Sequence, residues 1–350
     1  MKRILIILPY IGQLPEYFPA FAHSLQYFSH KNDEVEINYY ITTDDKRILG
    51  YSFPDFIKVQ KADAGEIEKR FLDKCGVQVY YGYKLCDYKP LYGSAFDDIA
   101  EGYDYWGYCD YDTMLGDILS WLKEADFAQY ERFGRYGHFT LYRNTPPLNE
   151  LWKRKFPKTI SIKEVARTTF PCYFDESGMN RICDKAGVKF LAENKVANVT
   201  PLQSFHFSLY NPTTHNDCPS QLFIWEKGKT FVLFRRPGEK DYTKREFAYI
   251  HYPYRKGLTV NETLGDAVIM THKGFFNFEP ERIDEYFSLY GGPDNKEQYE
   301  QFCSMQQAKW RQSRNKRFRT ELKTLGFFKT TRNFLYRLKS LSMSILFYKS

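Results

Sequence analysis

Nowhere in the 350 residues does an apolar run approach the roughly 20 positions that a membrane-spanning helix requires. The opening Met1-Lys2-Arg3 and the short run Ile4 to Leu8 stop at Pro9 without a small-residue cleavage site, so this segment reads as a first strand and the protein as cytoplasmic. The seven cysteines, at positions 75, 86, 109, 172, 183, 218 and 303, are odd in number and contain no CxxC pair. That pattern argues against a zinc ribbon or a dithiol redox centre and predicts reduced thiols. After the first strand comes Pro9-Tyr10-Ile11-Gly12-Gln13 in place of a GxGxxG turn, and no P-loop occurs, which sets aside dinucleotide and P-loop chemistry.

Aromatic residues are abundant: 29 Tyr and 30 Phe help to make up 18% of the chain. Such side chains suit sugar rings, but most must serve packing, and composition alone does not indicate a carbohydrate enzyme. Strand and helix patterns alternate from the start. Arg3 to Leu8 reads as a strand, Gln13 to Phe28 as a helix with Phe18, Phe21, Leu25 and Phe28 on one face, and Val35 to Ile41 as a second strand. This alternation predicts a parallel-rich, doubly wound sheet with ligands at the carboxyl ends of its strands, near Pro9, Tyr10 and Asp44.

The richest segment is Tyr103-Asp104-Tyr105-Trp106-Gly107-Tyr108-Cys109-Asp110-Tyr111-Asp112, a buried strand by pattern with two carboxylates at its carboxyl end. If the extended run persists, Asp110 and Asp112 share a face and can reach one divalent cation, which could hold a diphosphate. An isolated Asp-x-Asp is also a common solvated turn, so its neighbours matter. Ahead of it, Tyr83-Lys84-Leu85-Cys86-Asp87-Tyr88-Lys89-Pro90 supplies two lysines and an aspartate. Pro90 then suits the first turn of a helix running to about Ala100, which Gly102 ends. A short helix is expected from Leu115 to Lys123, a strand from His138 to Tyr142, and a helix opened by Pro146-Pro147.

These strings, with Gly116-Asp117-Ile118, resemble a bacterial family of GT-A-type glycosyltransferases whose members accompany capsule and surface-polysaccharide genes, including those for lipopolysaccharide. The resemblance extends more loosely to Pro9-Tyr10, to Gly137-His138-Phe139-Thr140-Leu141-Tyr142-Arg143-Asn144, to Phe174-Asp175-Glu176-Ser177-Gly178-Met179-Asn180 and to Tyr249-Ile250-His251. It implies an α/β, GT-A-like and Rossmann-related fold: a mixed, mostly parallel sheet flanked by helices, with a catalytic domain over residues 1–260. Manganese or magnesium would be held by Asp110, Asp112 and the late histidine His251. The donor would be a nucleoside-diphosphate sugar, with a UDP-sugar favoured, contacted by Pro9, Tyr10, Asp44, Lys84, Asp87, Lys89, Asp110, Tyr111 and Arg255. Arg255-Lys256 would neutralise the leaving diphosphate.

On the acceptor side the same resemblance points to His138, Asp175 and Glu176. A sugar hydroxyl is a poor nucleophile at neutral pH, and a carboxylate within hydrogen-bond reach can take its proton during attack on the anomeric carbon. Asp175 or Glu176 fits that role; equally, Asp175 could cap the following helix while Glu176 favours its positive end. His138 could touch substrate or be a satisfied structural histidine. Residues 221 to 258 read as β-rich, with a hairpin turn at Lys227-Gly228-Lys229.

Residues 261–308 are expected to complete the catalytic domain as helix, and 309–350 to form a basic amphipathic tail. From Lys309 onward there are twelve Lys or Arg against the single acid Glu321. That excess of +11, in a chain carrying +7, leaves about −4 for everything else. Cations interleaved with apolar residues suit an anionic membrane surface at the inner face of the cell membrane. A helix packed on the catalytic domain is the plainer reading, and nucleic acid, which basic-aromatic segments also bind, is not expected. The function indicated is hexose transfer to a glycan or lipid-linked glycan. Two other classes stay open: a metal-dependent phosphodiesterase or nucleotidyltransferase using the same acidic pair, and a non-catalytic carbohydrate-binding protein.

Overall fold

The computed structural model describes residues 1–80, 82–123, 127–169, 171–192, 195–199, 207–209, 220–236, 238–253 and 257–292, with scattered helical residues from 297 to 335. Four parallel strands begin its main sheet: β1 (Lys2–Tyr10), β2 (Val35–Thr43), β3 (Ile57–Lys61) and β4 (Tyr105–Cys109), side by side in the order β3-β2-β1-β4. The chain then forms β5 (Thr113–Leu115) outside this sheet before adding β6 (Arg132–Phe133), β7 (Phe139–Arg143) and β8 (Phe190–Leu191) in the order β4-β7-β6-β8. Of the seven strands only β7 runs against the rest. This is the mixed, mostly parallel sheet expected from the sequence.

The continuous apolar run of β1 follows from burial on both faces. Ile4, Ile6 and Leu8 enter one core with Phe18, Phe21 and Leu25 of α1 (Phe18–Gln26). Leu5 and Ile7 enter the other, where Phe71 of α2 (Ala64–Cys75) and Tyr92 of α3 (Tyr92–Ala95) pack with Trp106 and Tyr108. Other helices among the described residues are α4 (Ile118–Lys123), α5 (Pro146–Asn149), α6 (Ile162–Val165), α7 (Met179–Ala186) and α8 (Ile283–Tyr290).

Two further sheets are found among the described residues. The expected Lys227-Gly228 hairpin joins β10 (Ser220–Glu226) to β11 (Lys229–Arg235), with positive φ at both turn residues, as a two-residue turn of this hand requires. With β12 (Thr243–Phe247), β14 (Ala267–Thr271) and β15 (Gly274–Asn277) they form an antiparallel sheet, β12-β11-β10-β14-β15. The third sheet has only three short strands: β5 pairs with β13 (Tyr249–His251), which pairs with β9 (Val196–Asn198). Trp225 of β10 donates its indole N–H to the Leu115 carbonyl at 2.9 Å, tying the antiparallel sheet to β5.

Three expectations change. Pro90 does not open a long helix: Gly82–Leu91 is a 3-10 segment with Pro90 near its end, and only Tyr92–Ala95 follows as α-helix. The period of three in that segment sets Lys84 and Asp87 on one face as a buried pair. Leu115 does not start a helix either, because pairing with β13 draws Thr113–Leu115 into β5. Residues 261–308, expected as helix, contribute β14 and β15 before α8, since β10 needs a partner on its second edge.

The close approach of β4 and β7 depends on Gly107, where a methyl group would lie 2.3 Å from the Thr140 carbonyl oxygen and 2.6 Å from Leu141 Cδ2. Gly107→Ala should therefore lower unfolding free energy by about 1–3 kcal/mol in urea titration, the usual range for overpacking a core. A change no larger than the roughly 0.5 kcal/mol of an ordinary surface substitution would contradict this packing.

Candidate active site

β4 ends at Cys109, so the extended run does not carry through the acidic pair; Asp110 to Asp112 turn out of the main sheet and into β5. Backbone hydrogen bonds fix the turn, from Asp110 N–H to the His138 carbonyl at 3.0 Å and from Tyr252 N–H to the Asp112 carbonyl at 2.9 Å. Because β13 runs antiparallel to β5 with His251 opposite Thr113, the imidazole arrives beside both carboxylates. Asp110, Asp112 and His251 each offer a ligand atom, and these atoms lie within 4.8 Å of one another. His251 Nε2 is 3.5 Å from Asp112 Oδ1. Two carboxylates and one imidazole are a donor set that manganese accepts. The three residues expected as metal ligands are thus brought together.

Lys89 lies on the inner side of this cluster. Its ammonium contacts Asp110 Oδ1, donates to the Gly137 carbonyl at 2.8 Å and lies 3.4 Å from Asp175 Oδ2. The side chains of Asp110 and Asp112 are 30% and 19% exposed against 9% for Lys89 and for His251, so the site opens on the carboxylates. Asp175 and Glu176 begin a helical turn, Phe174–Gly178, that runs directly into α7. The turn starts at Tyr173, whose φ of 55° is left-handed, and no side chain caps it. The capping role for Asp175 is therefore not realised; Asp175 faces Lys89, while Glu176 beside it is more open to solvent. Gly137 permits the approach, since a methyl there would lie 2.5 Å from Asp175 Oδ2.

The charges are strongly biased by their surroundings. Burial raises the Asp110 carboxyl above its ordinary range, with Lys89 opposing. Burial, the largest influence, also works against ionised Asp112, but His251 and Lys89 with a backbone hydrogen bond together hold that carboxyl low. Asp175 is pushed far up by burial, against Lys89, with Glu176 and Asp87 adding to the rise; Glu176 is raised for the same first reason. Burial works to deprotonate Lys89, yet Asp110 and Asp175 keep it charged well past the ordinary lysine range. A cluster of titratable groups perturbed this way in one cleft is a functional-site signature.

Other expected contacts fall differently. Lys84 and Asp87 are buried and paired at 2.7 Å, and Asp87 accepts N–H bonds from Cys172 at 2.7 Å and Phe174 at 2.8 Å. They cannot touch a diphosphate; they shape the segment that carries Asp175. Tyr111 is likewise internal: its hydroxyl donates to the Leu8 carbonyl and its ring packs on Phe18 and Phe21. His138 is buried, stacked on Tyr136 and tilted against His251, with Nδ1 2.8 Å from the Tyr249 hydroxyl. Burial, aided by the charges of His251 and Lys89, keeps it neutral, so it supports His251 and has no surface for an acceptor. Pro9 is buried in β1, and Asp44 accepts the Gly12 N–H at 2.7 Å. Tyr10 is half-buried at the rim, with Asp112 among the charges that raise its phenol after burial. Arg255 lies outside the described residues.

Sequence reasoning missed Tyr17 and Asn198, and quoted Gly137 without giving it a role. Tyr17 joins the rim, its phenol raised by burial and then by Asp112. Asn198 meets His251 Nδ1 at 2.8 Å. Neither Tyr17 nor Asn198 stands beside the acidic pair in sequence, and the fold brings both to it.

The chain belongs to a family described as a family of unknown function (DUF6625), whose sequence model matches residues 6–279. No curated protein matches it. Among solved structures it is similar to the galactosyltransferase LgtC in complex with donor and acceptor sugar analogs, with TM-score 0.38, 12% identity and coverage of 83% of this chain and 97% of that one. It is similar to mouse xyloside xylosyltransferase 1 in its apo form, with TM-score 0.36, 10% identity and coverage of 57% and 88%. Similarity to the glycosyltransferase GlyE of Streptococcus pneumoniae is lower, with TM-score 0.29, 15% identity and coverage of 55% and 45%. Scores this low carry no argument about chemistry, which rests on the geometry above.

Lys89→Met would leave Asp110 and Asp175 without the ammonium between them, and should cost about 3–5 kcal/mol of stability near pH 7.5, as breaking a buried pair does. The deficit should shrink toward about pH 5. Asp175 has a raised proton affinity in the folded state, so the unbalanced charge is penalised as pH rises through its folded value and is relieved by protonation below it. Denaturant titrations at both pH values check this; a variant as stable as wild type near pH 7.5, or a deficit that grows on acidification, would contradict it.

Proposed function

We propose that this member of the DUF6625 family is a metal-dependent glycosyltransferase that moves a hexose-like sugar from a nucleoside-diphosphate donor, a UDP-sugar by preference, to a glycan or lipid-linked glycan. The observation that carries the reading is the convergence of Asp110, Asp112 and His251 at the carboxyl edge of a mostly parallel sheet, with Asp175 joined to them through Lys89 and Glu176 next to it in the chain. An octahedral cation with bonds of about 2.1 Å sets its ligands roughly 3.0 Å apart when adjacent and 4.2 Å when opposite. The three ligand atoms, within 4.8 Å of one another, fit manganese or magnesium with little closure. Bound there, the cation supplies Lewis-acid stabilisation of the diphosphate charge.

The chain's own residues divide the rest of the work. Tyr10 and Tyr17 border the open side at the end of β1, where the donor would lie, with Pro9 and Asp44 supporting that edge and Arg255 proposed for the diphosphate. Lys89 holds Asp110 in place and adds positive charge as the bond from the anomeric carbon to the diphosphate breaks. An acceptor oxygen bonds to that carbon, and its proton passes to a carboxylate whose affinity burial has raised. Glu176, more open than Asp175, is assigned to take it; Asp175 links it to Lys89.

A panel of nucleotide sugars with manganese, reading nucleoside-diphosphate release, tests the reaction. Release of a nucleoside monophosphate would favour the phosphodiesterase or nucleotidyltransferase class, and sugar binding without metal or nucleotide would favour a carbohydrate-binding protein. Asp112→Asn should lower transfer by about 100-fold or more, the scale for losing one electrostatic contact to developing charge, with the far-UV circular dichroism unchanged. Full activity in that variant would sink the assignment.

The proposed setting is capsular or lipopolysaccharide synthesis at the cytoplasmic face of the cell membrane. No described helix is long and apolar enough to cross it. The described residues of the tail are helical, and Phe327, Phe328 and Leu335 are exposed, which suits a surface-seeking helix better than one packed on the core. Deleting residues from Lys316 onward should leave transfer to a soluble acceptor largely unchanged and reduce co-sedimentation with anionic vesicles in a salt-sensitive way. Each cation near such a surface is worth about 1 kcal/mol, so unchanged vesicle binding would remove the membrane role.

A further inference from the structure

We propose that Asn198 is the residue that positions His251 for cation binding, by fixing which ring nitrogen carries the proton. This rests on the cation site proposed above. Asn198 and His251 are register partners in the parallel pairing of β9 with β13. The Val199 N–H donates to the His251 carbonyl at 2.8 Å, so the two backbones are locked together, and His251 Nδ1 meets Asn198 Oδ1 at 2.8 Å. An amide oxygen only accepts, so Nδ1 must carry the hydrogen. The lone pair of the neutral ring is then on Nε2, which faces Asp112 Oδ1 at 3.5 Å. Two acceptors facing each other at that distance repel unless a proton or a cation lies between them, and the same spacing is close to that of adjacent ligands on one metal ion.

The ring is held on its face as well as its edge. His138 lies over it with centroids 4.1 Å apart and the two ring planes 30° from parallel, and Tyr249 in turn bonds His138. A neighbouring ring restrains tilt but leaves this ring free to flip about its own axis, which would exchange Nδ1 and a carbon; the in-plane bond to Asn198 opposes that flip. The amide also orients the ring without bringing a third negative charge to a site that already holds Asp110 and Asp112. Ligand histidines are commonly fixed through their other nitrogen, and loss of that partner typically weakens metal binding about 10- to 100-fold.

The test is Mn2+ binding by the full chain without donor, read from the loss of the free-ion EPR signal. Asn198→Leu removes the acceptor at similar volume, and Asn198→Asp keeps an acceptor oxygen in the same place. The dissociation constant for Mn2+ should rise about 10- to 100-fold in N198L and stay within a few-fold of wild type in N198D. Asp112→Asn and His251→Ala serve as references. If N198L binds Mn2+ like wild type while H251A is impaired, or if N198D is as weak as N198L, the positioning role is overturned and the metal site stands. If D112N and H251A both bind like wild type, the cation site itself fails and the proposal with it. Thermal unfolding in EDTA reports folding; should N198L not fold, N198A carries the same expectation.

Discussion

The site depends on one buried ammonium. Asp110 and Asp175 approach each other's region inside the protein, where an uncompensated carboxylate is costly, and Lys89 lies against both. Its hold extends to the backbone through the Gly137 carbonyl, so the β6–β7 connection, the end of β4 and the start of α7 meet at a single charge. The segment that delivers Lys89 is itself anchored by a second buried pair, Lys84 with Asp87. Asp87 uses its two oxygens on the N–H groups of Cys172 and Phe174, on either side of the left-handed Tyr173. One short 3-10 stretch therefore sets both the turn that aims Asp175 and the charge that receives it.

From this arrangement the site acquires two unlike sides. Asp110 and Asp112 are open enough to take a hydrated cation and a diphosphate, whereas Asp175, His138 and Lys89 lie behind them in a poorly solvated layer. Poor solvation strengthens each interaction in that layer, raising the proton affinity of Asp175 and lowering that of His138. The same desolvation makes the layer intolerant: the residues there have few neutral replacements, and glycine at 137 leaves room that no other residue would.

The aromatic excess has a structural explanation for the most part. Trp106 stacks on Tyr142 and Phe18 and Phe21 pack on Tyr111, all within cores, and buried Trp225 packs on His23 and on the exposed Tyr27. Tyr10 and Tyr17 are different because they border the acidic pair. Abundance of a residue type thus said little about chemistry, and position said more.

The doubly wound sheet was legible in the sequence because burial on both faces of β1 and β4 writes itself as uninterrupted apolar runs, and the acidic pair because strand ends in such sheets are where ligands gather. His251 could be named only through the family resemblance, and the Lys227-Gly228 hairpin from its turn chemistry. What local pattern could not give was which distant segments touch. Asn198, Thr113 and His251 lie far apart in the chain and meet only because β9, β13 and β5 pair, and strands of three residues are too short to show a period of their own. The inward turn of Lys84, Asp87, Tyr111 and His138 was equally hidden, since a charged or aromatic residue reads the same in sequence whether it faces a ligand or a buried partner. Sequence determined the sheet and the chemistry available at its edge; tertiary packing decided which of those groups reach the solvent, because burial of charge is settled by partners that only the folded chain supplies.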